Sequence, residues 1–182
     1  MMRLPGFDYV APPSLDEAAK VLAANPASTR VVAGGTDLWP NMKRRHQSAE
    51  TVVGLRGIPG LAGVRGDGHG EMGIGALTRF SEICRSDILR RVHPGLVRAV
   101  ATISTPVLRN MGTIGGNLCL DTRCTYYNQN EEWRQSIGYC LKECGETCWV
   151  APGSDRCWAI SATDSAPLLC AIGARVRLVS EQ

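Results

Sequence analysis

The first 83 residues of this 182-residue chain contain no cysteine, and no run of about 18 apolar residues occurs anywhere in it. The second absence excludes a membrane-spanning helix. The opening Met1–Asp8 has no apolar stretch, so no secretory signal is expected and a cytoplasmic location is. Aromatic residues make up only 5% of the chain and histidine occurs three times. Lysine is scarce as well: 17 of the 20 basic residues are arginine, and the net charge is only +3. That balance excludes a broad nucleic-acid surface and suits local contacts to phosphate or carboxylate.

What the chain does have is cysteine in one place. Six of its eight cysteines fall between Cys119 and Cys157. A secreted protein of this size would spread its cysteines through the fold as staples. A local cluster in a cytosolic chain reads as a metal or iron–sulfur site, with disulfides or buried thiols as the alternative. Apolar residues at 44% and charged residues at 20% provide core for one domain or for two small lobes sharing a cleft.

Residues 13–25 predict a first helix, with Ser14 as cap, Glu17 completing a capping box, and Asn25-Pro26 as its stop. Thr29–Ala33 and Thr51–Leu55 predict strands, with a helix from Leu38 to Lys43 between them. Ala62–Val64 and Met72–Ala76 predict a hairpin. Its connection carries Gly68-His69-Gly70-Glu71-Met72-Gly73, which matches a dinucleotide-binding pattern but opens a strand rather than a helix, so it reads as a turn. Helices are expected over Thr78–Cys84, Pro94–Ile103 and Ser165–Ile172, regular structure at Trp158–Ser161, and a final strand over Ala174–Val179.

Two Gly-Gly turns stand out. Gly34-Gly35-Thr36-Asp37 follows a strand and enters a helix. Its glycines allow backbone N–H groups to approach an anion and Thr36 adds a hydroxyl; the alternative is a plain turn with Asp37 as helix cap. Thr113-Ile114-Gly115-Gly116-Asn117 repeats the pairing of threonine with two glycines. One such turn in each half suggests an extended ligand with its pyrophosphate between them. The three histidines, His46, His69 and His93, pair with no nucleophile or second ligand and read as structural or solvated. Cys84 and Cys170 read as core thiols, and Tyr126, Tyr127 and Trp133 as aromatic packing.

Val32–Leu38 and Thr113–Asn117 resemble the two FAD-binding signatures of the flavoprotein subunits of molybdenum hydroxylases, the family of xanthine dehydrogenase and carbon monoxide dehydrogenase. Phe7-Asp8-Tyr9, Met72–Thr78 and Asp164–Leu169 are similar to it too. The resemblance implies an α+β fold in two lobes, residues 1–57 and 58–182, with FAD in the cleft between them. It places Val31, Val32, Ala33, Gly34, Gly35, Thr36, Asp37 and Leu38 on the first wall. Thr113, Gly115, Gly116 and Asn117 lie on the second, Asp164 towards the ribose, and Ile103 beside the flavin ring. These residues bind cofactor; none is an acid–base catalyst. The family continues into a C-terminal domain that this sequence, ending at Gln182, does not contain.

Asn117 and Asp164 stand 47 positions apart, where most of the family has a short connection. The cysteine-rich insertion, about 119–157, resembles one branch, the 4-hydroxybenzoyl-CoA reductase β subunits, whose loop holds a [4Fe–4S] cluster. That resemblance selects Cys124, Cys140, Cys148 and Cys157 as ligands and leaves Cys119 and Cys144 spare. Spacing alone cannot choose among the six, and four thiolates could also hold zinc. The implied function is electron transfer from ferredoxin through cluster and FAD in a reductive dehydroxylation to benzoyl-CoA. Partner subunits would carry the molybdenum cofactor and [2Fe–2S] clusters. The alternatives are a flavin subunit serving another aromatic or purine-like substrate, and a non-enzymatic zinc-stabilised interaction domain.

Overall fold

A computed structural model describes residues 3–180. The readings of the opening segment and of the chain's end fall partly on residues 1, 2, 181 and 182, outside that range. The fold is mixed α and β. Strands β1 (Asp8–Val10), β2 (Thr29–Val32) and β3 (Thr51–Gly54) form a parallel sheet in the order β1-β3-β2. Helices α1 (Leu15–Ala24) and α2 (Leu38–Lys43) form the connections. Val52 and Val53 on the central strand are fully buried on opposite faces, as expected where both faces of a parallel sheet are covered. Val52 joins Val32, Leu38 and Met42. Val53 joins Ala18 and Ile58.

Helix α1 forms as its sequence specifies: the Glu17 N–H donates to Ser14 Oγ at 3.2 Å. Strands β4 (Val64–Arg65) and β5 (Gly73–Ile74) make the expected hairpin. Gly66 and Gly68 take positive φ in its connection, so the glycine pattern there belongs to a turn.

A second core gathers α3 (Phe80–Arg85), α4 (Asp87–Val92) and α5 (Pro94–Thr102) around Phe80, Ile83, Leu89, Leu96 and Val100. Thr78 does not open α3. Its buried hydroxyl bonds to Gly63 instead, and Arg79 takes the cap position, its N–H held by Glu82 at 2.7 Å. The short α6 (Pro106–Arg109) leads to α7 (Ile114–Leu118); α8 (Glu131–Ser136) lies in the insertion, and α9 (Ala166–Ala171) packs on α5.

Two expectations are corrected. Residues 174–179 form no strand: among the described residues no β-strand or bridge pairs with them, and Val176 and Leu178 stand exposed. Trp158–Ser161 contributes only one bridge, Ile160 to Arg123. No helix among the described residues is long and apolar enough to cross a membrane.

Candidate functional site

A cleft of about 640 Å³ runs between the β2–α2 turn and α7, within the range of ~300–1,000 Å³ usual for ligand pockets. Residues 31–38, Ile103, Thr113, Gly115, Gly116, Asn117 and Asp164 all line it. The structure therefore brings together every residue that the sequence assigns to FAD.

The two Gly-Gly turns differ in what they offer. In the first, the backbone N–H groups of Gly34 through Leu38 have no acceptor among the described residues. Gly35 has φ +75°, and a Cβ there would collide with the Trp39 ring. Gly34 has no room for a side chain against the Met111 carbonyl, so the two walls touch backbone to backbone at this point. The result is a run of unspent donors at the start of α2, a concavity suited to an anion. Asp37 does not cap α2: its carboxylate accepts from Asn41 Nδ2 at 3.0 Å and pairs with Arg123 of the insertion.

In the second turn the donors are spent. Gly115 N–H bonds to Ala76 O at 2.8 Å, Gly116 N–H to Thr113 Oγ1 at 3.2 Å, and Asn117 N–H to Thr113 O at 3.0 Å. This turn gives the cleft close approach rather than charge. Asn117, 6% exposed, is a hub: its Oδ1 accepts from Thr163 Oγ1, Ser165 N–H and Ser165 Oγ, and its Nδ2 donates to Asp164 Oδ2 at 3.1 Å. It positions Asp164 across 47 residues of sequence, and Asp164 presents the exposed carboxylate. Ile103, 7% exposed, closes the cleft where the second core begins.

Cys124, Cys140, Cys148 and Cys157 line a second, small pocket in the insertion. Cys144 is exposed away from it, and Cys119 lines the large cleft instead. All eight cysteines are free thiols. Among the described residues no three His, Cys, Asp or Glu side chains converge closely enough to hold a single metal ion. Cys148 has its pKa lowered by the backbone N–H of Trp158, with those of Ala151 and Val150 assisting and burial opposing. That favours the thiolate, the form that ligates metal. The void itself is only about 10 Å³, room for roughly one water.

The frame around the thiols is polar and was not visible in the sequence. Arg134, 1% exposed, pairs with Glu131 and Glu143 and donates to the Arg45 carbonyl at 3.3 Å, tying α8 to the end of α2. Of the two readings open for His46, the structure gives the structural one for this half-buried side chain. Its ring stacks on Tyr127 at 5.5 Å and its Nε2 is buried without a partner. Tyr126 tilts against Trp133 at 6.3 Å, as aromatic packing. Cys170 is exposed rather than a core thiol. No local signal could have paired Arg123 with Asp37 or Arg134 with residue 45, because each contact spans more than 80 positions.

A family model described as "FAD binding domain in molybdopterin dehydrogenase" matches residues 5–182, and the chain belongs to that family. Its relatives include the 6-hydroxypseudooxynicotine dehydrogenase complex subunit alpha of Paenarthrobacter nicotinovorans, 37% identical over 64% of this chain and 39% of that protein. The carbon monoxide dehydrogenase medium chain of Hydrogenophaga pseudoflava is 37% identical over 63% of this chain and 39% of its own length. Among solved structures, carbon monoxide dehydrogenase from H. pseudoflava superposes with a TM-score of 0.61 at 36% identity, over 64% of this chain and 40% of that one. Quinoline 2-oxidoreductase from Pseudomonas putida 86 gives 0.60 at 32%, over the same shares. The chain spans about two fifths of the length of these relatives.

Proposed function

We propose that this chain carries FAD in the large cleft and a [4Fe–4S] cluster at the thiol pocket, and serves as the electron-transfer subunit of a molybdenum enzyme of the 4-hydroxybenzoyl-CoA reductase type. The observation that carries the reading is selective. The four cysteines named by the resemblance share one pocket, and the two it leaves out, Cys119 and Cys144, do not line it.

The residues fit both groups. The open N–H groups of Gly34–Leu38 would receive the pyrophosphate, and the carboxylate that Asn117 holds would receive a ribose hydroxyl. When bound, FAD supplies the exchange between two-electron and one-electron chemistry. Cys124, Cys140, Cys148 and Cys157 are a four-thiolate donor set. Four thiolates suit a cluster or zinc alike, and the resemblance of the insertion is what favours the cluster.

The reading extends to two lobes, 1–57 and 58–182, to partner subunits bearing molybdenum and [2Fe–2S] centres, to ferredoxin as one-electron donor and to a cytoplasmic location. A second reading keeps FAD and changes the substrate: relatives include a caffeine dehydrogenase subunit beta and a nicotinate dehydrogenase FAD-subunit. The cysteine-rich insertion favours the first. The test is metal and flavin analysis of anaerobically purified protein. Cys148→Ser should lose about four irons per chain and keep FAD, whereas Cys144→Ser should lose neither. Zinc in place of iron, or a requirement for Cys144 with Cys140 dispensable, refutes the cluster or its ligand set.

A further inference from the structure

Lys142 stands where the two candidate sites meet. Its side chain lines the thiol pocket, is 19% exposed, and brings Nζ within 5.1 Å of the Tyr127 ring centroid. Nζ donates to Asp121 Oδ1 and to Thr122 Oγ1, both at 2.8 Å. Asp121 in turn lines the flavin cleft. One ion pair thus has its cation on the wall of one site and its anion on the wall of the other.

Apart from the thiols, the rest of the pocket wall comes from Tyr126, Tyr127, Leu141, Trp149, Val150 and Ala159, so Lys142 is the single formal cation among them. A partly desolvated ammonium on an apolar wall is costly unless paired, and Asp121 meets that need. Burial works to raise the Asp121 pKa, but the Lys142 hydrogen bond, the Thr122 N–H and the Lys142 and Arg123 charges outweigh it and hold the carboxyl low. Burial, seconded by the Asp121 charge, raises the Tyr127 phenol, which leaves that ring neutral. The pair is fixed in position by the hydrogen bond between its members and by the bonds that each makes to Thr122.

We propose that Lys142 is a positioning residue of a different kind from the ligands: it sets the redox balance between thiol pocket and flavin cleft. A fixed cation beside the thiolates stabilises an added electron there and raises the reduction potential, and Asp121 partly offsets that pull on the cleft side. Lysine suits the role because its ammonium is a compact point charge on a flexible stem. This inference rests on the cluster reading above.

The test is a mediated redox titration of anaerobically purified protein, with cluster and flavin followed by their own spectra after iron and flavin analysis. Lys142→Met should shift the cluster's reduction equilibrium by about tenfold against reduction, about 59 mV downward for a one-electron couple. Asp121→Asn should shift it upward, and Lys142→Arg should stay near the parent. A cluster potential unmoved in both Lys142→Met and Asp121→Asn overturns the inference while leaving the cluster reading intact. Should Lys142→Met lose its iron, the upward shift in Asp121→Asn decides alone. Zinc or no iron in the parent protein overturns the cluster reading and this inference with it.

Discussion

His46 occupies the seam where the end of α2 meets the insertion, its ring on Tyr127 and its Nε2 buried with no acceptor or donor opposite. Burial, and then the nearby Arg134 guanidinium, lower its pKa from 6.5, while Tyr127 and Gln129 backbone contacts and the Glu143 charge pull weakly the other way. The sign follows. In the unfolded chain the imidazole takes a proton near pH 6.5, and in the folded chain it does so only at lower pH, so acidification below 6.5 favours unfolding. The stability that neutral His46 allows is present above pH 6.5 and is lost as pH falls through the folded value. Urea midpoints measured from pH 7.5 down to 5 should fall more steeply for the parent than for His46→Gln; equal slopes would assign the loss to other groups.

At the scale of elements, the two Gly-Gly turns separate packing from binding. A Cβ on Gly115 would stand 2.7 Å from the Ala76 carbonyl, a rigid neighbour, while one on Gly116 meets only Thr113 Oγ1 at 3.0 Å and Ala33 Cβ at 4.0 Å. Gly115→Val should therefore cost about 2–3 kcal/mol by overpacking, read from urea unfolding. Gly116→Ala should change stability by less than about 1 kcal/mol yet weaken FAD binding, read by flavin titration, because its Cβ intrudes on the cleft. The reverse order of stabilities would place the tight contact at the wrong glycine.

The same elements show what the sequence makes legible. Helix α1 was readable because its cap, its stop and its apolar face all lie within 12 residues. Helix α7 was not, because two glycines at its centre argue against a helix, and the Thr113 cap, the bonds to Ala76 and Thr78 and the anchoring of Asn117 help to sustain it. The misread strand at 174–179 has strand-like alternation, but pairing needs a neighbour that no local pattern supplies. The site residues were readable as motifs because each turn is short and contiguous. Their relations were not: Asn117 serving Asp164, Asp37 serving Arg123 and Arg134 serving the Arg45 carbonyl all depend on how distant segments fold together.

At the scale of the whole molecule, the cleft is walled on one side by the parallel sheet's turn and on the other by helices of the second core. A ligand that bridges them binds only the folded arrangement and must stabilise both together. FAD at a hundredfold its Kd should add about 2.7 kcal/mol, a rise in melting temperature of roughly 5–10 °C for a chain of this size. Differential scanning calorimetry with and without FAD checks this, and a single sharpened transition is expected. Unchanged melting at saturating flavin would mean that the cleft does not hold it.

The insertion leaves and rejoins this body at one point. Arg123 and Ile160 exchange both backbone hydrogen bonds, at 2.7 and 3.1 Å, so residues 124–159 depart and return side by side. Loop-closure entropy grows only with the logarithm of length, about 0.6 kcal/mol per doubling. With the neck already fastened, the length of what hangs from it is thermodynamically almost free. What ties this long excursion to the cleft is not its neck but its side chains, Lys142 to Asp121 on the cleft wall and Arg134 to the Arg45 carbonyl beyond α2.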